Sequence, residues 1–437
     1  MRNFATQNGG LPPDFITAMY FERKHYLNQL ISGQGNGMVK IVTGIRRCGK
    51  SFLLFDIFRN YLLKNGVPDS RIICVSLDDI QNSTLRDPYK LLDFVKQKIT
   101  DDSQLHYVLL DEIQLVDRFV ELLLSLMHIK NLEIYVTGSN SKFLSSDVVT
   151  EFRGRGDEIR LHPLSVSEYI EGGKLEFNEA LKNYFLYGGL PQVVMQNDVE
   201  RKEAFLKNMA YVTYLKDVIE RNKLKNSDGI SALTCTLASA IGSFSNPKRI
   251  SDTFKSNAQS NMTDSTVRQY IRHLEDAFLI SEALRYDIKG RKYIGAECKY
   301  YFEDMGVRNA LLNFRQYEKT HIMENVIYNE LRCRGYSVDV GMVEVWDRND
   351  DGSKQHKRVE VDFVVNHGFE RFYIQSAFSI DDDAKREQEL RPFRSIDDSF
   401  TKVLIVFDDV YTHRNESGVL TMSLKSFLMQ PEKLVLL

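Results

Sequence analysis

Residues 44–51, GIRRCGKS, restrict the possible folds of this chain more than any other segment. They fit the pattern G-x-x-x-x-G-K-[ST], between an apolar strand-like run, MVKIVTG, and a helical run, KSFLLFDIFRNYLLKNG. In this context the glycines let backbone N–H groups approach phosphate oxygens, and the helix N-terminus adds a favourable dipole. The alternative, a glycine-rich turn without function, leaves this placement between a strand and a helix unexplained. The pattern therefore predicts a phosphate-binding loop.

The side chains of this loop indicate its ligands. Lys50 is expected to reach the β- and γ-phosphates of a nucleotide, and the Ser51 hydroxyl group to ligate Mg²⁺. We therefore expect ATP and Mg²⁺ as cofactors. Arg46 and Arg47 are both candidates for contact with phosphate or with a partner. The predicted nucleotide-binding residues are Gly44, Ile45, Arg46, Arg47, Cys48, Gly49, Lys50, Ser51 and Phe52.

A second motif, HYVLLDEIQ, carries two adjacent acidic residues. Its apolar run predicts a buried strand that brings Asp111 to the edge of the sheet beside the phosphate-binding loop. Asp111 is expected to hold Mg²⁺, directly or through water, and Glu112 to act as the general base that polarises the attacking water. The alternative is an acidic pair on the surface. The presence of Glu112 favours hydrolysis over the chemistry of a kinase or a GTPase-like switch.

Two further segments contain weaker candidates for catalysis. LEIYVTGSN ends in Thr137, Ser139 and Asn140, and Asn140 is a candidate for sensing the γ-phosphate; the alternative is a helix N-cap. FRGRGDEIRL places Arg153 and Arg155 between glycines. Arg155 is the stronger candidate for neutralising charge in the transition state, either in cis or from a neighbouring subunit. The alternative is a solvated loop.

Composition and charge limit the class of protein. The formal net charge is −3, so contact with nucleic acid requires a local basic patch. No apolar run approaches the length of a membrane span, and residues 1–20 lack the pattern of a signal peptide. The five cysteines are scattered without a CxxC pair, which indicates neither a disulfide framework nor a zinc site. We expect a cytoplasmic protein that does not contact membranes.

The pattern of apolar residues divides the chain into four regions. Residues 1–164 alternate short apolar runs with amphipathic stretches, which predicts an α/β core with a parallel sheet and helices on both faces. Residues 165–225 have a helical pattern, interrupted at YFLYGGLPQVV, and are expected to form a helical lid. Residues 226–295 predict three helices and a hairpin, the order of a winged helix-turn-helix. Residues 296–437 predict a second α/β domain.

The motifs resemble those of a widespread prokaryotic family of AAA+-type P-loop ATPases that carry a C-terminal domain of unknown function. This family is similar to archaeal-type ATPases. The resemblance covers nearly the whole chain and implies ATPase activity. The matching segments are GIRRCGKS, LLDEIQ, VTGSN, a Gly-Arg pair followed by IRLHPLSVSEY at 159–169, YGGLP at 187–191, TYLKDVIERN at 213–222, MEN at 323–325 and EVDFVV at 360–365.

The last region also resembles the PD-(D/E)xK nuclease fold, also called restriction-endonuclease-like. In that pattern Glu324 would lie on an early helix and Asp362 on a strand, and together they would bind Mg²⁺. Where the pattern requires an acid, any residue and lysine, the sequence has Gln375, Ser376 and Ala377. Glu360 could contribute if it faced the same way as Asp362. This departure predicts a degenerate domain retained for binding or assembly. An active nuclease and an unrelated α/β tail are the alternatives.

Residues 246–292 form the local basic patch. They contain nine Lys and Arg against six Asp and Glu, a balance of +3. Such residues would make salt-dependent and largely sequence-neutral contacts with DNA phosphates. The alternative is a winged helix that binds only protein. The candidates are Lys248, Arg249, Arg268, Tyr270, Arg272, Lys289, Arg291 and Lys292.

Taken together, the motifs predict a Mg²⁺-dependent ATPase that moves a winged-helix and nuclease-like tail, with DNA as a candidate partner. A homo-oligomer is required only if an arginine acts in trans. One alternative is a nucleotide-gated switch or scaffold with slow turnover. Another is an ATP-dependent DNA nuclease.

Overall fold

A five-stranded parallel sheet forms the centre of the first region. The computed structural model describes residues 19–99, 101, 103–138, 152, 154–224, 226–256, 262–348, 354–380 and 382–430. The strands are β1 (Val39–Thr43), β2 (Ile72–Ser76), β3 (His106–Asp111), β4 (Leu132–Thr137) and β5 (Gly156–Arg160), in the spatial order β2-β3-β4-β1-β5. All their pairings are parallel, which confirms the predicted α/β class and P-loop sheet.

Helices cover both faces of this sheet. One face packs on α1 (Lys24–Ser32) and on the helix at 50–64; the other packs on α4 (Pro88–Lys98) and α5 (Phe119–Met127). Alternate side chains of β1 divide between two hydrophobic clusters, with Val42 in one and Ile41 in the other, because successive strand residues face opposite sides. The helix at 50–64 consists of α2 (Lys50–Phe52), a π-helical segment (Leu53–Phe58) and α3 (Arg59–Lys64). Short 3₁₀ helices lie at Asp69–Arg71, Ile80–Arg86 and Ile113–Leu115.

The second region is helical, as its sequence predicts. Its helices are α6 (Val166–Gly173), α7 (Phe177–Tyr187), α8 (Pro191–Val194) and α9 (Val199–Asn208), then a π-helical segment (Met209–Leu215) and α10 (Lys216–Arg221). Ser165 caps α6 through a capping box with Glu168. The break between α7 and α8 falls at Gly188 and Gly189, and Gly188 has a φ of 71°.

Three helices and a hairpin follow, in the predicted order. They are α11 (Ser227–Ser239), α12 (Pro247–Ser256), α13 (Asp264–Asp276), β6 (Ile280–Asp287) and β7 (Lys292–Phe302). The hairpin does not stand alone, because β6 pairs in parallel with β8 (Ser337–Arg348) of the last region. β7 also runs through the predicted domain limit at residue 295. The assignment of this region as a winged helix stays a prediction.

An eight-stranded mixed sheet dominates the last region. Its order is β12-β13-β11-β10-β9-β8-β6-β7, so the hairpin forms one edge. The remaining strands are β9 (Lys354–His367), β10 (Glu370–Ala377), β11 (Thr401–Val406), β12 (His413–Arg414) and β13 (Leu420–Ser423). The helices are α14 (Met305–Leu311), α15 (Lys319–Cys333), α16 (Asp383–Arg394) and α17 (Leu424–Met429). The nuclease-like nature of this sheet stays a prediction.

Candidate functional site

The loop at 44–51 has the backbone conformation of a phosphate cradle. Gly44 and Gly49 have φ angles of 137° and 102°, values that favour glycine. A Cβ atom at Gly44 would lie 2.1 Å from the carbonyl oxygen of Leu161, so no larger residue fits there. The Lys50 side chain is buried, and its ammonium group donates hydrogen bonds to the carbonyl oxygens of Gly44 (2.9 Å) and Ile45 (3.0 Å). Lys50 therefore lies folded along the loop, within reach of a ligand in it.

The predicted metal ligands meet where β3 and β4 end. The Ser51 hydroxyl group lies near the Asp111 carboxylate and lowers its pKa, and Thr137 donates a hydrogen bond to Asp111. Burial raises the pKa of Asp111 above its ordinary value, although both hydroxyl groups oppose this shift. A cation beside the carboxylate would favour its charged form.

These ligands fit magnesium. A hydroxyl and a carboxylate oxygen are ligands that Mg²⁺ accepts, with phosphate oxygens and water completing its shell. No group of three His, Cys, Asp or Glu side chains able to hold a metal ion occurs in the described part of the chain. A bound nucleotide would thus have to supply part of the coordination.

Glu112 lies next to this pair in a left-handed backbone conformation, with a φ of 55°. Its amide donates a hydrogen bond to the Thr137 hydroxyl group (2.9 Å), and its carboxylate accepts one from the Gln114 side chain. This conformation is unusual for a residue other than glycine and turns the side chain away from the strand direction. The carboxylate therefore lies at the cavity that Lys50 and Ser51 also line.

That cavity has a volume of about 1000 Å³, which is enough for a nucleotide. Lys50, Ser51, Asp78 and Glu112 are among the polar residues that line it. Apolar side chains also line it, and they belong to Met19, Phe21, Leu164, Pro191 and Met195. The cavity thus offers both charged and apolar groups, as a nucleoside triphosphate does.

The other predicted loop residues differ in how they face this cavity. Ile45 and Cys48 are buried in the core, so only their backbone groups can meet a ligand. Arg46 forms an ion pair with Asp217 (2.8 Å), and Arg47 donates a hydrogen bond to Gln192 (2.8 Å). Phe52 is 39% exposed and packs edge-on against Tyr20. Ser139, Asn140 and Arg153 lie outside the described residues.

The structure places Arg155 far from the phosphate end. Its carbonyl oxygen accepts a hydrogen bond from the Val39 amide at the start of β1, whereas the phosphate-binding loop follows the end of β1. Five strand residues separate the two ends by roughly 16 Å. Of the two roles left open for Arg155, this placement argues against the one in cis, because β5 runs parallel to β1 and begins at the opposite edge. A role in trans stays a prediction.

Arg221 and Asp217 are among the residues at or beside the cavity that were not singled out from the sequence. Arg221 lines the cavity, and Asp217 pairs with it (2.9 Å) and with Arg46. Both lie in TYLKDVIERN, a segment that contributes to the family resemblance but has no assigned chemistry. The signal available was an acidic and a basic residue spaced i, i+4 on one helix face.

Most of the candidate DNA-binding residues are exposed, but Tyr270 is buried within the core and is withdrawn as a candidate. Tyr270 is buried because it lies on the apolar face of α13. Arg268 pairs with Asp264, and Arg249 lies 3.6 Å from Glu297. The remaining exposed residues are Lys248, Arg272, Lys289, Arg291 and Lys292.

The acidic residues of the tail lie close together but are bonded to protein groups. Lys299 of β7 forms ion pairs with Glu324 and Glu360. Asp362 accepts hydrogen bonds from the amide and the hydroxyl group of Ser376 and from the Gln375 side chain. Burial, followed by the nearby Glu324 carboxylate, raises the pKa of Asp362 to about 6. A lysine from another strand thus sits among the carboxylates, and the sequence pattern around Ala377 gave no sign of it.

No helix in the described part of the chain is long and apolar enough to cross a membrane.

Comparison with known proteins agrees with the first region's geometry. Residues 36–170 match the family described as AAA domain, and residues 178–318 match a domain of unknown function (DUF8612). An uncharacterized protein of Haemophilus influenzae is 30% identical over 413 residues, which cover 93% of this chain and 98% of that protein. An uncharacterized protein of Methanocaldococcus jannaschii is 26% identical over 371 residues, covering 81% of this chain and 78% of that protein.

Solved structures with distant similarity include two archaeal proteins. A Walker-type ATPase of Pyrococcus abyssi has a TM-score of 0.49 at 15% identity, over 67% of this chain and 96% of that chain. The ORC2 protein of Aeropyrum pernix has a TM-score of 0.38 at 12% identity, over 73% of this chain and 96% of that chain. Because of the identity and coverage of the Haemophilus influenzae relative, this chain belongs to the same family as that protein, and it carries a P-loop ATPase domain of the AAA type at residues 36–170.

Proposed function

We propose that the chain is a Mg²⁺-dependent ATPase whose cycle changes the position of the winged-helix and nuclease-like tail, with DNA as the tail's ligand. One observation carries the proposal: Lys50, Ser51 and Glu112 line a nucleotide-sized cavity, and Asp111 lies next to Ser51 and Glu112 at the same end of the sheet. A site that only bound phosphate would not need Glu112 there.

Each side chain has a role in this proposal. Lys50 leaves its two carbonyl partners to bind the β- and γ-phosphates, and Ser51 and Asp111 hold Mg²⁺. A Mg²⁺ ion held there would supply stabilisation of the charge that develops during transfer. Glu112 accepts a proton from the attacking water. Its hydrogen bond with Gln114 orients the carboxylate towards the cavity.

Direct contacts support coupling between the ATPase domain and the tail. Arg160, at the end of β5, pairs with Glu303 (2.9 Å), which follows β7. The next residue, Asp304, accepts a hydrogen bond from the amide of Gly189 (2.7 Å). These buried contacts join the loop region around the nucleotide to the edge strand of the large sheet.

A second set of contacts connects the nucleotide cavity with the basic patch at 246–292. Arg221, which lines the nucleotide cavity, also lines a small cavity together with Asp217 and with His273 and Asp276 of α13. The exposed surface of α13 carries Arg268 and Arg272. A change at the nucleotide would therefore reach the helix expected to lie on DNA.

Steady-state ATP turnover of the wild type and of Glu112→Gln tests the proposal. We expect Glu112→Gln to bind ATP but to lower kcat by about 10²-fold or more, as loss of a general base does. Glu121→Gln, which removes an exposed carboxylate from the adjacent helix, is the matched control and should keep the wild-type rate. Equally slow turnover by the wild type and Glu112→Gln, with ATP still bound, would favour the slow nucleotide-gated switch.

The same assay with duplex DNA, together with mass measurement, tests the ligand of the tail. DNA should stimulate turnover and shift the mass of the protein upward. If neither the rate of ATP turnover nor the measured mass changed with DNA at low salt, DNA would be excluded as the ligand of the tail. The proposed ATPase activity would still stand.

The contacts of Lys299 weigh against the alternative nuclease function. The lysine forms ion pairs with both Glu324 and Glu360, and so competes with a metal ion for these carboxylates. We propose that the tail binds without cutting. Plasmid DNA incubated with Mg²⁺ or Mn²⁺ and ATP should stay intact with the wild type as with Asp362→Ala. Nicking by the wild type alone would establish the nuclease.

A further inference from the structure

A further carboxylate faces the nucleotide cavity from the strand beside β3. Asp78 lies two residues beyond the end of β2 and lines the cavity together with Lys50 and Ser51. The parallel pairing of β2 with β3 sets Ser76 opposite Asp111, so the chain leaves β2 beside the proposed metal ligand. The position of Asp78 therefore follows from the order of the strands.

Side chains around the turn after β2 hold Asp78 in place. The guanidinium group of Arg86 donates hydrogen bonds to the carbonyl oxygens of Leu77 (2.8 Å) and Asp78 (3.4 Å). The Ser76 hydroxyl group donates a hydrogen bond to one carboxylate oxygen of Asp78 (2.7 Å). The other oxygen has no hydrogen-bond donor among the residues that the structure describes. It is therefore free to accept a hydrogen bond from a group in the cavity.

The charges at the ends of β2 and β3 favour a cation. Burial raises the pKa of Asp111, and the nearby carboxylates of Glu112 and Asp78 add to this effect. The basic side chains of the cavity, which suit a triphosphate, are bonded elsewhere in the described part of the chain, and none forms an ion pair with Asp78. They belong to Arg23, Arg46, Arg47, Lys50 and Arg221.

The proposed direct ligands leave part of a magnesium shell to water. Mg²⁺ prefers an octahedral shell of oxygen atoms and usually keeps several water molecules in it. Ser51 and Asp111 are the proposed direct ligands, and no three acidic, His or Cys side chains of the described residues are placed to hold the ion together. Asp78 would therefore act through water. Groups in such outer positions typically change metal affinity by about 10- to 100-fold.

We propose that Asp78 is a positioning residue for Mg²⁺: its free carboxylate oxygen accepts a hydrogen bond from water in the shell of the ion, which raises the affinity of the ATP complex for Mg²⁺. This inference rests on the proposed ATP site. Asp78 and Glu112 then have different roles, because Asp78 binds the water of the metal and Glu112 acts on the attacking water. Additional Mg²⁺ should overcome the loss of Asp78 but not the loss of Glu112.

Binding of a fluorescent, non-hydrolysable ATP analogue, measured in EDTA and at rising Mg²⁺ concentrations, tests this inference. Asp78→Asn replaces a charged acceptor by a weaker neutral one, and should raise the Mg²⁺ concentration at half-maximal effect by about tenfold. Its affinity in EDTA should not be weaker than that of the wild type, since a negative charge near the phosphates is removed.

The neighbouring residue provides the matched control. Asp79 caps a 3₁₀ helix through the amide of Gln81, and it is not among the residues that line the cavity. Asparagine caps a helix as well as aspartate does. Asp79→Asn therefore removes the same charge one residue away, and should keep the Mg²⁺ dependence of the wild type.

Turnover separates Asp78 from the proposed base. At saturating Mg²⁺, Asp78→Asn should recover most of the wild-type kcat, whereas Glu112→Gln should stay slow at every Mg²⁺ concentration. A wild-type Mg²⁺ dependence for Asp78→Asn would overturn the inference. Weaker binding in EDTA with a lowered unfolding midpoint would also overturn it, because Asp78 would then be merely structural. Wild-type protein that bound the analogue with Mg²⁺ but did not hydrolyse ATP would refute the proposed ATPase function, and the affinities would still decide this inference.

Discussion

The hydroxyl group of Thr137 donates a hydrogen bond to the carboxylate of Asp111 at 2.5 Å. The hydroxyl oxygen of Thr137 also accepts a hydrogen bond from the amide of Glu112 (2.9 Å), and Thr137 is fully buried. The arrangement arises because β4, which Thr137 ends, lies between β3 and β1 in the sheet. One side chain therefore fixes the proposed metal ligand and the backbone of the proposed base.

Thr137→Val should lower kcat of ATP hydrolysis by about 10- to 100-fold, the usual effect of removing a hydrogen bond that orients a metal ligand. The affinity for ATP should change less, since the phosphate-binding loop is untouched. Thr137→Ser retains the hydroxyl group and should keep most of the activity. A wild-type rate for Thr137→Val would show that Asp111 does not need this orientation.

The motifs that could be read from the sequence are those whose residues are close along the chain. The loop at 44–51 and the pair at 111–112 each follow a buried strand, so their place at the carboxyl edge follows from strand direction alone. Arg155 does not lie near the phosphate-binding loop, because it precedes β5 rather than following it. Lys299 and Arg221 come from distant segments, and only the tertiary fold brings them to the carboxylates they contact.

Replacement of Gly188 by alanine should destabilise the chain. The added Cβ atom would lie 2.2 Å from a carboxylate oxygen of Asp304, and the φ of 71° is unfavourable for alanine. We expect a loss of about 2–3 kcal/mol in the free energy of unfolding. Gly66→Ala is the matched control: its φ is also positive but no atom lies within 4 Å, so it should cost only about 1 kcal/mol. Thermal unfolding compares them, and equal losses would refute the steric argument.

Arg155→Ala should leave ATP hydrolysis unchanged at protein concentrations where the chain is monomeric. Its side chain lies at the far end of β1 from the phosphate-binding loop, so it contributes nothing in cis. Turnover measured over a range of protein concentrations checks this. A rate loss that appears only at high concentration would reveal a role in trans, and a loss at every concentration would contradict the placement.

Asp362 should make the stability of the chain depend on pH. Its pKa is about 6 in the folded chain, above the ordinary 3.8, so the folded chain holds this proton more tightly than the unfolded chain does. The free energy of unfolding therefore falls as pH rises through about 4 to 6, by roughly 3 kcal/mol for this group. Asp362→Asn should lose this dependence.

Chemical unfolding at pH 4.5 and 7.5 gives the measurement for Asp362. Asp252→Asn, at an exposed position, controls for the removal of one negative charge. If wild type and Asp362→Asn lost the same stability between the two pH values, the Asp362 carboxyl group would not hold its proton as described.

The hairpin should govern the salt dependence of DNA binding. Arg291 and Lys292 are exposed at its turn, and their joint replacement by alanine should weaken binding to all sequences equally. We consider the slope of the logarithm of the DNA-binding constant against the logarithm of the salt concentration. The magnitude of this slope should decrease by about one for each phosphate that the protein no longer neutralises. Lys216→Ala, exposed on α10, is the control. An unchanged slope for the double variant would exclude the hairpin from the interface.

The parallel pairing of β6 with β8 has a mechanical consequence. Because the hairpin is the edge of an eight-stranded sheet, it cannot swing as a separate flap. The sheet extends about 34 Å from β7 to β12 at the usual strand spacing. Glu303 and Asp304 contact the first two regions next to β7, and Phe407, which follows β11, packs against Phe185 of α7, so the sheet is held at more than one place. A displacement of the hairpin would therefore have to carry β8 and the strands beyond it as well.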